Sequence, residues 1–272
     1  MYSLDFVRPA SLAEAVTALQ AEDALPLGGG QTLIPALRQR LAMPGRVVAL
    51  AALPELVGLR VEGGEIRIRG ATPHARVAAE APLPALARLA GGIGDPAVRH
   101  RGTIGGSLAN NDPAACWPAA VLGLGGVVRV RGLAGPREIA ADAWFRGLFD
   151  TDLRAGEIVT EVRLPLPLAA AYVRFRQPAS RFALAGVFVA RFAGGRVRVA
   201  VTGASASGVY RWTEAEQLLA SDFSPGALAP LCVSAEGMLA DVQAPADYRA
   251  HLVKVIACRA VAEAASGRTA CG

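Results

Sequence analysis

The chain of 272 residues is 53% hydrophobic and carries 28 basic against 23 acidic side chains, a formal net charge of +5. That is too apolar and too evenly charged for intrinsic disorder, and long enough for two domains of ordinary size. Lys254 is the only lysine, and the arginines stand singly among Ala, Val and Leu, without the basic, aromatic-interleaved patch that nucleic-acid binding needs.

The opening MYSLDFVRPAS is broken by Asp5 and Pro9 where a signal peptide needs an unbroken apolar core, so a cytoplasmic protein is expected. Residues 11–21 predict a first helix, with Ser11 as N-cap, Glu14 completing a capping box, and Leu12, Val16 and Leu19 on one face. Ala24 to Leu27 is a short apolar strand running into Gly28, Gly29 and Gly30. A second helix follows Thr32, with Pro35 tolerated in its first turn, and Val47 to Leu50 is a further strand. Residues 59–61 and 66–68 alternate apolar with polar across Gly63-Gly64, the pattern of a hairpin. A helix over 83–93 ends at Gly91-Gly92 before Asp95-Pro96; a second glycine-rich stretch occupies 102–107, and a helix covers 114–123. Strands are predicted at 127–130, around Ile139 and at 158–164, and Pro165 with Pro167 marks a boundary. Beyond it come strands at 172–175, 184–192 and 197–202, the last two joined by a turn at Gly194-Gly195, then helices at 214–219, 225–231 and 246–265. The reading is an α+β protein of two parts, without an internal repeat. Its most apolar windows, 117–128 and 182–193, are too short or too interrupted for a membrane span.

Cys116, Cys232, Cys258 and Cys271 form no C-x-x-C pair and have no histidine at ligand spacing, so neither a zinc nor an iron–sulfur site can be assembled from this chain alone. Four free thiols fit a reducing compartment. The three histidines are widely separated, without a Ser or Cys partner for a hydrolase triad, and His74 and His100 read most simply as surface or hydrogen-bonded residues. Trp117 and Trp144 read as core or interface anchors.

Two glycine segments carry the chemistry. In LPLGGGQTLIP, residues 25–35, three glycines strip every Cβ from a bend between strand and helix. Successive N–H groups can then converge on an anion, with Gln31 and Thr32 adding side-chain donors. No lysine follows, so it is not a Walker A loop, and Leu33 stands where G-x-G-x-x-G needs glycine. A plain tight turn is the competing reading. In RGTIGGSLANNDPAACWPAA, residues 101–120, Gly105 and Gly106 lie between Thr103 and Ser107. Two such loops could grip a dinucleotide diphosphate from both sides without a lysine. Two unrelated turns are the alternative.

LGGGQTLIP and GTIGGSLANNDPAA, with the spacing between them, resemble the flavin-binding subunit of the molybdenum hydroxylases, the family of carbon monoxide dehydrogenase medium chains and the xanthine dehydrogenase flavin domain. FVRPASLAEAVTAL, GEIVTEVRLP, FRQPASRFALAGV, VTGAS and ADYRAHLVKVIACRAVAEA extend the resemblance nearly end to end. It implies a FAD-binding domain of the p-cresol methylhydroxylase and vanillyl-alcohol oxidase type over residues 1–167, with two α/β subdomains at about 1–55 and 56–167. A small C-terminal α+β domain of the CO-dehydrogenase-flavoprotein type would follow over 168–272. It makes Pro26, Leu27, Gly28, Gly29, Gly30, Gln31, Thr32 and Leu33 one pyrophosphate loop, and Thr103, Ile104, Gly105, Gly106 and Ser107 the other. Ile93 and Val159 match residues that touch the flavin, and Arg176 or Gln177 would supply a donor to the electron-rich ring edge. Phe182 matches an aromatic near the ring, with core packing as its alternative, and a solvated strand face is the alternative for Arg174 and Arg176. Position 116 departs from the family: Cys116 stands where relatives often carry Asp or Glu, and Asp112 nearby reads as a turn residue. No catalytic acid, base or metal ligand is assigned.

The function implied is electron transfer. FAD on this chain would pass electrons from [2Fe-2S] clusters of a small partner subunit to NAD, a quinone or oxygen. Substrate would be oxidised at the molybdenum cofactor of a large partner, in a dimer of heterotrimers. A free-standing FAD-dependent oxidoreductase of the same fold, and a nucleotide-binding or assembly module without flavin, are the alternatives.

Overall fold

The computed structural model describes residues 2–267. Its first unit is a three-stranded parallel sheet in the order β1-β3-β2. Chain order is β1 (Asp5–Val7), α1 (Leu12–Ala18), β2 (Ala24–Leu27), α2 (Leu33–Arg38) and β3 (Arg46–Ala49). Ser11 caps α1 by accepting from Glu14 N at 3.2 Å, and the Glu14 carboxylate returns to Ala10 N at 2.7 Å. That fixed start turns Ala15 and Val16 onto Val48 of β3, with Leu50, Leu53 and Leu56 closing a small core. β1 is a strand that the sequence pattern did not predict.

The second unit is a five-stranded antiparallel sheet, β4-β5-β10-β6-β7, with helices over one face. β4 (Leu59–Glu62) and β5 (Glu65–Arg69) form the expected hairpin, and Gly63 and Gly64 at φ 62° and 76° make its two-residue turn. Then come α3 (His74–Glu80), α4 (Pro84–Gly91), α5 (Pro96–Arg101), α6 (Ile104–Asn110) and α7 (Trp117–Leu124). β6 (Val127–Gly132), β7 (Gly135–Ala140), α8 (Ala141–Trp144), β8 (Phe145–Gly147), β9 (Asp150–Thr151) and the central β10 (Ile158–Pro165) complete the unit.

Three expectations change here. α3 and α5 were not predicted, because each is short and opens at an X-Pro that reads locally as a turn. Residues 102–107 are not a free loop: Thr103 caps α6 and both glycines lie in its first turn, where tertiary contact overrides their low helix propensity. The helix predicted over 114–123 starts only at Trp117, because Asp112 first closes a turn onto Ala114 N at 2.8 Å. All eight residues of α7 are buried.

The remaining residues form a four-stranded antiparallel sheet, β11 (Ala169–Arg176), β12 (Ala183–Arg191), β13 (Val197–Thr202) and β14 (Tyr210–Arg211), with α9 (Thr213–Ser221) and α10 (Ala246–Ser266) on one face. β12 and β13 are buried on both sides, which explains their almost unbroken apolar runs. Val187, Val189, Val199 and Val201 meet Val253, Ile256 and Ala260 of α10. On the other face Phe188, Ala190 and Ala200 belong to the core built around α7. Pro225–Leu228 is a single 3-10 turn rather than the helix expected to 231. Cys116, Cys232 and Cys258 are free thiols, while Cys271 lies outside the described residues. Among the described residues no helix is long and apolar enough to cross a membrane.

Candidate functional site

A cleft of roughly 680 Å³ lies where the β2–α2 bend, the start of α6, the first residues of β10 and the β11–β12 turn converge. Its size is that of a site able to enclose most of a large cofactor. The two glycine segments form one end of it, in direct contact. A Cβ on Gly28 would stand 3.1 Å from Thr103 Oγ1, and one on Gly29 would overlap the Arg101 carbonyl. Gly30 takes φ 74°, which side chains disfavour. Glycine at 28 and 29 thus follows from the close approach of the two segments, and at 30 from the backbone turn itself.

The two segments do not offer the same groups. Among the described residues, none of the main-chain N–H groups of residues 28–33 donates to another group of the chain, and the Thr32 hydroxyl is also free. These donors precede and open α2, so they present a cluster of unsatisfied dipoles to the cleft. In the second segment the N–H groups are already used: Ile104 to Thr72 O, Gly105 to Gly70 O, Gly106 to Thr103 Oγ1 and Ser107 to Thr103 O. The expectation of two N–H-offering loops is corrected accordingly. The second segment contributes the Ser107 hydroxyl and, one helical turn on, the Asn110 amide, both lining the cleft without a partner among the described residues.

Pro26, Leu27, Gly28, Gly29, Gly30, Gln31, Thr32 and Leu33 all line the cleft, and Gln31 Nε2 folds back onto Gly29 O at 3.2 Å. Thr103, Gly105, Gly106 and Ser107 line it too, as do Ile93, Cys116 and Val159. Two expected residues do not. Ile104 is fully buried and packs into the core with Leu108, because the α6 register turns it away. Gln177 closes the β11–β12 turn, its N donating to Phe182 O at 2.9 Å and its side chain accepting from Ser180 N. Ser180, Arg181 and Phe182 line the cleft in its place, and Phe182, 50% exposed, is no core residue.

Arg174 is likewise not a solvated strand residue. Its guanidinium donates to Cys116 Sγ at 2.7 Å and to Gly92 O, and it lines the cleft. Cys116 thus accepts a charged hydrogen bond at the wall of the cleft. Tyr172 Oη is buried beside this pair, and burial pushes the phenol pKa well up. His74 was expected at the surface or hydrogen-bonded; it is 4% exposed, lines the cleft, and its Nδ1 accepts from Trp117 Nε1 at 3.1 Å. Burial pushes its pKa down to about 4, so the ring is neutral with its proton on Nε2. Trp117 and Trp144 are fully buried core anchors, and His100 is exposed with Nδ1 2.7 Å from Pro96 O. Glu157 and Leu153 reach the cleft on a loop tied down by Arg137, whose Nε meets Glu157 Oε1 at 2.7 Å. The sequence carried no signal for His74 or Leu153; the NND run after Ser107 was the one available for Asn110.

The site suits an elongated molecule with a diphosphate and an apolar ring system. Free N–H groups gather at one end, and Ile93, Val98, Leu153 and Val159 offer apolar wall along it. FAD has that chemistry, and the residues present fit it.

Comparison with known proteins agrees. Residues 2–167 match the family model of the FAD binding domain in molybdopterin dehydrogenase. The chain is 34% identical to the carbon monoxide dehydrogenase medium chain of Afipia carboxidovorans, over 96% of each chain. It is 35% identical to the nicotine 6-hydroxylase medium subunit of Paenarthrobacter nicotinovorans, over 96% of this chain and 97% of the other. The fold superposes on a chain of cyanide-inactivated Cu,Mo-CO dehydrogenase with a TM-score of 0.88 at 31% identity, covering 98% of this chain and 99% of that one. A cleft built for a flavin dinucleotide, on a fold shared end to end with these subunits, places the chain among the FAD-binding medium subunits of the molybdenum hydroxylase family.

Proposed function

We propose that this chain is the electron-transfer subunit of a heterotrimeric molybdenum hydroxylase. It would take electrons from [2Fe-2S] clusters of a small partner and deliver them to an external acceptor, while substrate is oxidised at the molybdenum cofactor of a large partner. The assembly is a dimer of such heterotrimers in the cytoplasm. Bound FAD supplies a redox centre able to exchange electrons singly or in pairs.

The residues of the chain bind and orient. The N–H groups of residues 28–33 hold the diphosphate, with Ser107 and Asn110 donating from the facing helix. Ile93, Val159 and Leu153 exclude water from the ring, and Cys116 with Arg174 supplies the polar wall beside it. Neutral His74 presents its Nε2 beside Gly102 without adding charge. In this reading residues 1–167 form the FAD-binding domain, with subdomains at 1–55 and 56–167, and residues 168–272 the C-terminal domain. Medium subunits such as that of nicotine 6-hydroxylase are named as parts of larger enzymes, which supports the partnership.

The observation that carries the reading is the row of unsatisfied N–H groups at residues 28–33, held against the Thr103 cap. Purified protein is expected to be yellow, with bands near roughly 370 and 450 nm as for any oxidised flavin, and to co-purify with two partner chains, one small and one large. Ser107→Ala is expected to weaken FAD binding about tenfold, as loss of one hydrogen bond to an anion would. A colourless, folded protein would refute the proposal.

A further inference from the structure

The segment VTGAS, residues 201–205, lines no part of the cleft, yet its Thr202 and Gly203 hold two segments that do. Thr202 is fully buried at the end of β13, after the run VRVAV. A hydroxyl so placed has to find an acceptor. It finds two: Oγ1 stands 2.9 Å from Pro113 O and 2.8 Å from Ala115 O, and its one proton is shared between them. Gly203 N donates to the same Pro113 O at 2.8 Å. Asp112, Ala114, Ala115 and Cys116 of that turn line the cleft. The turn's own bonds run from Ala114 N and Ala115 N to Asp112, so its carbonyl side is held from outside, across 87 and 89 positions of chain.

The same corner reaches a second wall. Pairing of β12 with β13 stops at Gly186 and Thr202. Beyond it, the carbonyls of Leu184 and Gly203 both accept from Arg249 Nη1, at 2.9 and 2.8 Å, while Arg249 Nη2 pairs with Asp241 at 2.8 Å. Arg249 is 2% exposed and projects from α10. Gly203, at φ 82°, lies so close to β12 that a Cβ would stand 2.4 Å from Ala183 O. Ala183 directly follows Ser180, Arg181 and Phe182, which line the cleft.

We propose that Thr202 and Arg249 are positioning residues for the cofactor: through the Gly203 peptide they fix the 112–116 turn and the 180–183 segment relative to each other. Neither side chain lines the cleft, so their effect on the cofactor is carried by main chain. The inference deepens the FAD reading and rests on it for the identity of the ligand, not for the hydrogen bonds.

Affinity is read by titrating FAD into flavin-free full-length protein and following the quenching of flavin fluorescence. Thr202→Val keeps the shape and removes the hydroxyl. It should raise the Kd for FAD by about tenfold, and Thr202→Ser, which restores the hydroxyl, should return it to within about twofold of the wild type. Arg249→Met should raise Kd as well. Arg198→Met removes buried hydrogen bonds at the far end of α7 and should leave Kd unchanged, which separates lost position from lost stability. Hydrogen exchange on the flavin-free chain should quicken at residues 112–116 and 180–185 in Thr202→Val and Arg249→Met, with the β4–β5 hairpin unchanged. A Thr202→Val protein that binds FAD and exchanges as the wild type does, a Thr202→Ser protein no better than Thr202→Val, or an equal loss of affinity in Arg198→Met would each overturn the proposal. Wild-type protein that takes up no FAD, with exchange altered in the variants as expected, would overturn the FAD reading while upholding the bracing of the two walls.

Discussion

His74 shows how a single buried side chain links the core to the cleft. Its imidazole accepts from Trp117 Nε1 at 3.1 Å, and burial alone holds its pKa near 4, below the 6.5 of a solvated ring. Because the folded state resists the proton, the unfolded chain takes it up first as pH falls. The contribution of His74 to stability is constant above pH 6.5 and is expected to fall between 6.5 and 4, by about 3 kcal/mol in all. Denaturant titrations across that range should show the decline, and His74→Gln should flatten it; an unchanged slope in the variant would assign the effect elsewhere. Cys116 is the other residue whose role depends on its neighbour. With Arg174 Nη1 at 2.7 Å, Cys116→Asp should place a carboxylate against the guanidinium.

Among the elements, α6 lines the cleft and α7 forms the buried core beside it. α6 sits on β5 because Gly105 has no side chain: a Cβ there would stand 2.6 Å from Gly70 O, the acceptor of the Gly105 N–H. Gly105→Ala is expected to cost about 2 kcal/mol or more through forced separation of the two backbones. It should also lower FAD affinity, since Ser107 and Asn110 move with the helix; equal stability and affinity would contradict the packing argument. The C-terminus of α7 is closed by Arg198, 8% exposed, which donates from Nε and Nη2 to Leu122 O at 3.0 and 2.8 Å and pairs with Asp142 at 2.8 Å. Arg198→Met keeps the apolar stem but strands the helix carbonyl. A loss of about 1–3 kcal/mol in chemical denaturation is expected.

At the level of the whole molecule, the sheet of residues 169–211 is bound into the rest by a shared core. Phe188, Ala190 and Ala200 pack with Trp117, Val121 and Leu124, and Gly123 lies so close that a Cβ would reach the Phe188 ring at 2.9 Å. A chain ending at residue 167 would expose that apolar face of α7, and is expected to aggregate rather than fold as an independent flavin domain. The full chain is expected to unfold in one transition, which FAD at a hundred times its Kd raises by about 2.7 kcal/mol. Two separate calorimetric transitions would count against a shared core.

Strand and helix periodicity, the capping box at Ser11 and Glu14, and the hairpin glycines could be read in the chain because each is a local effect of a few neighbouring residues. The two glycine segments were legible for the same reason, and with them the family and its cofactor. Tertiary structure decided the rest. Only the fold turned Gly105 and Gly106 from a bend into a helix, since the partner that makes glycine necessary, Gly70, is distant in sequence. Only the fold buried His74, turned Ile104 inward while leaving residues 28–33 with unsatisfied donors, and brought Arg174 to Cys116 across 58 positions. Hydrophobic periodicity says which face is buried, but not which other segment it will meet.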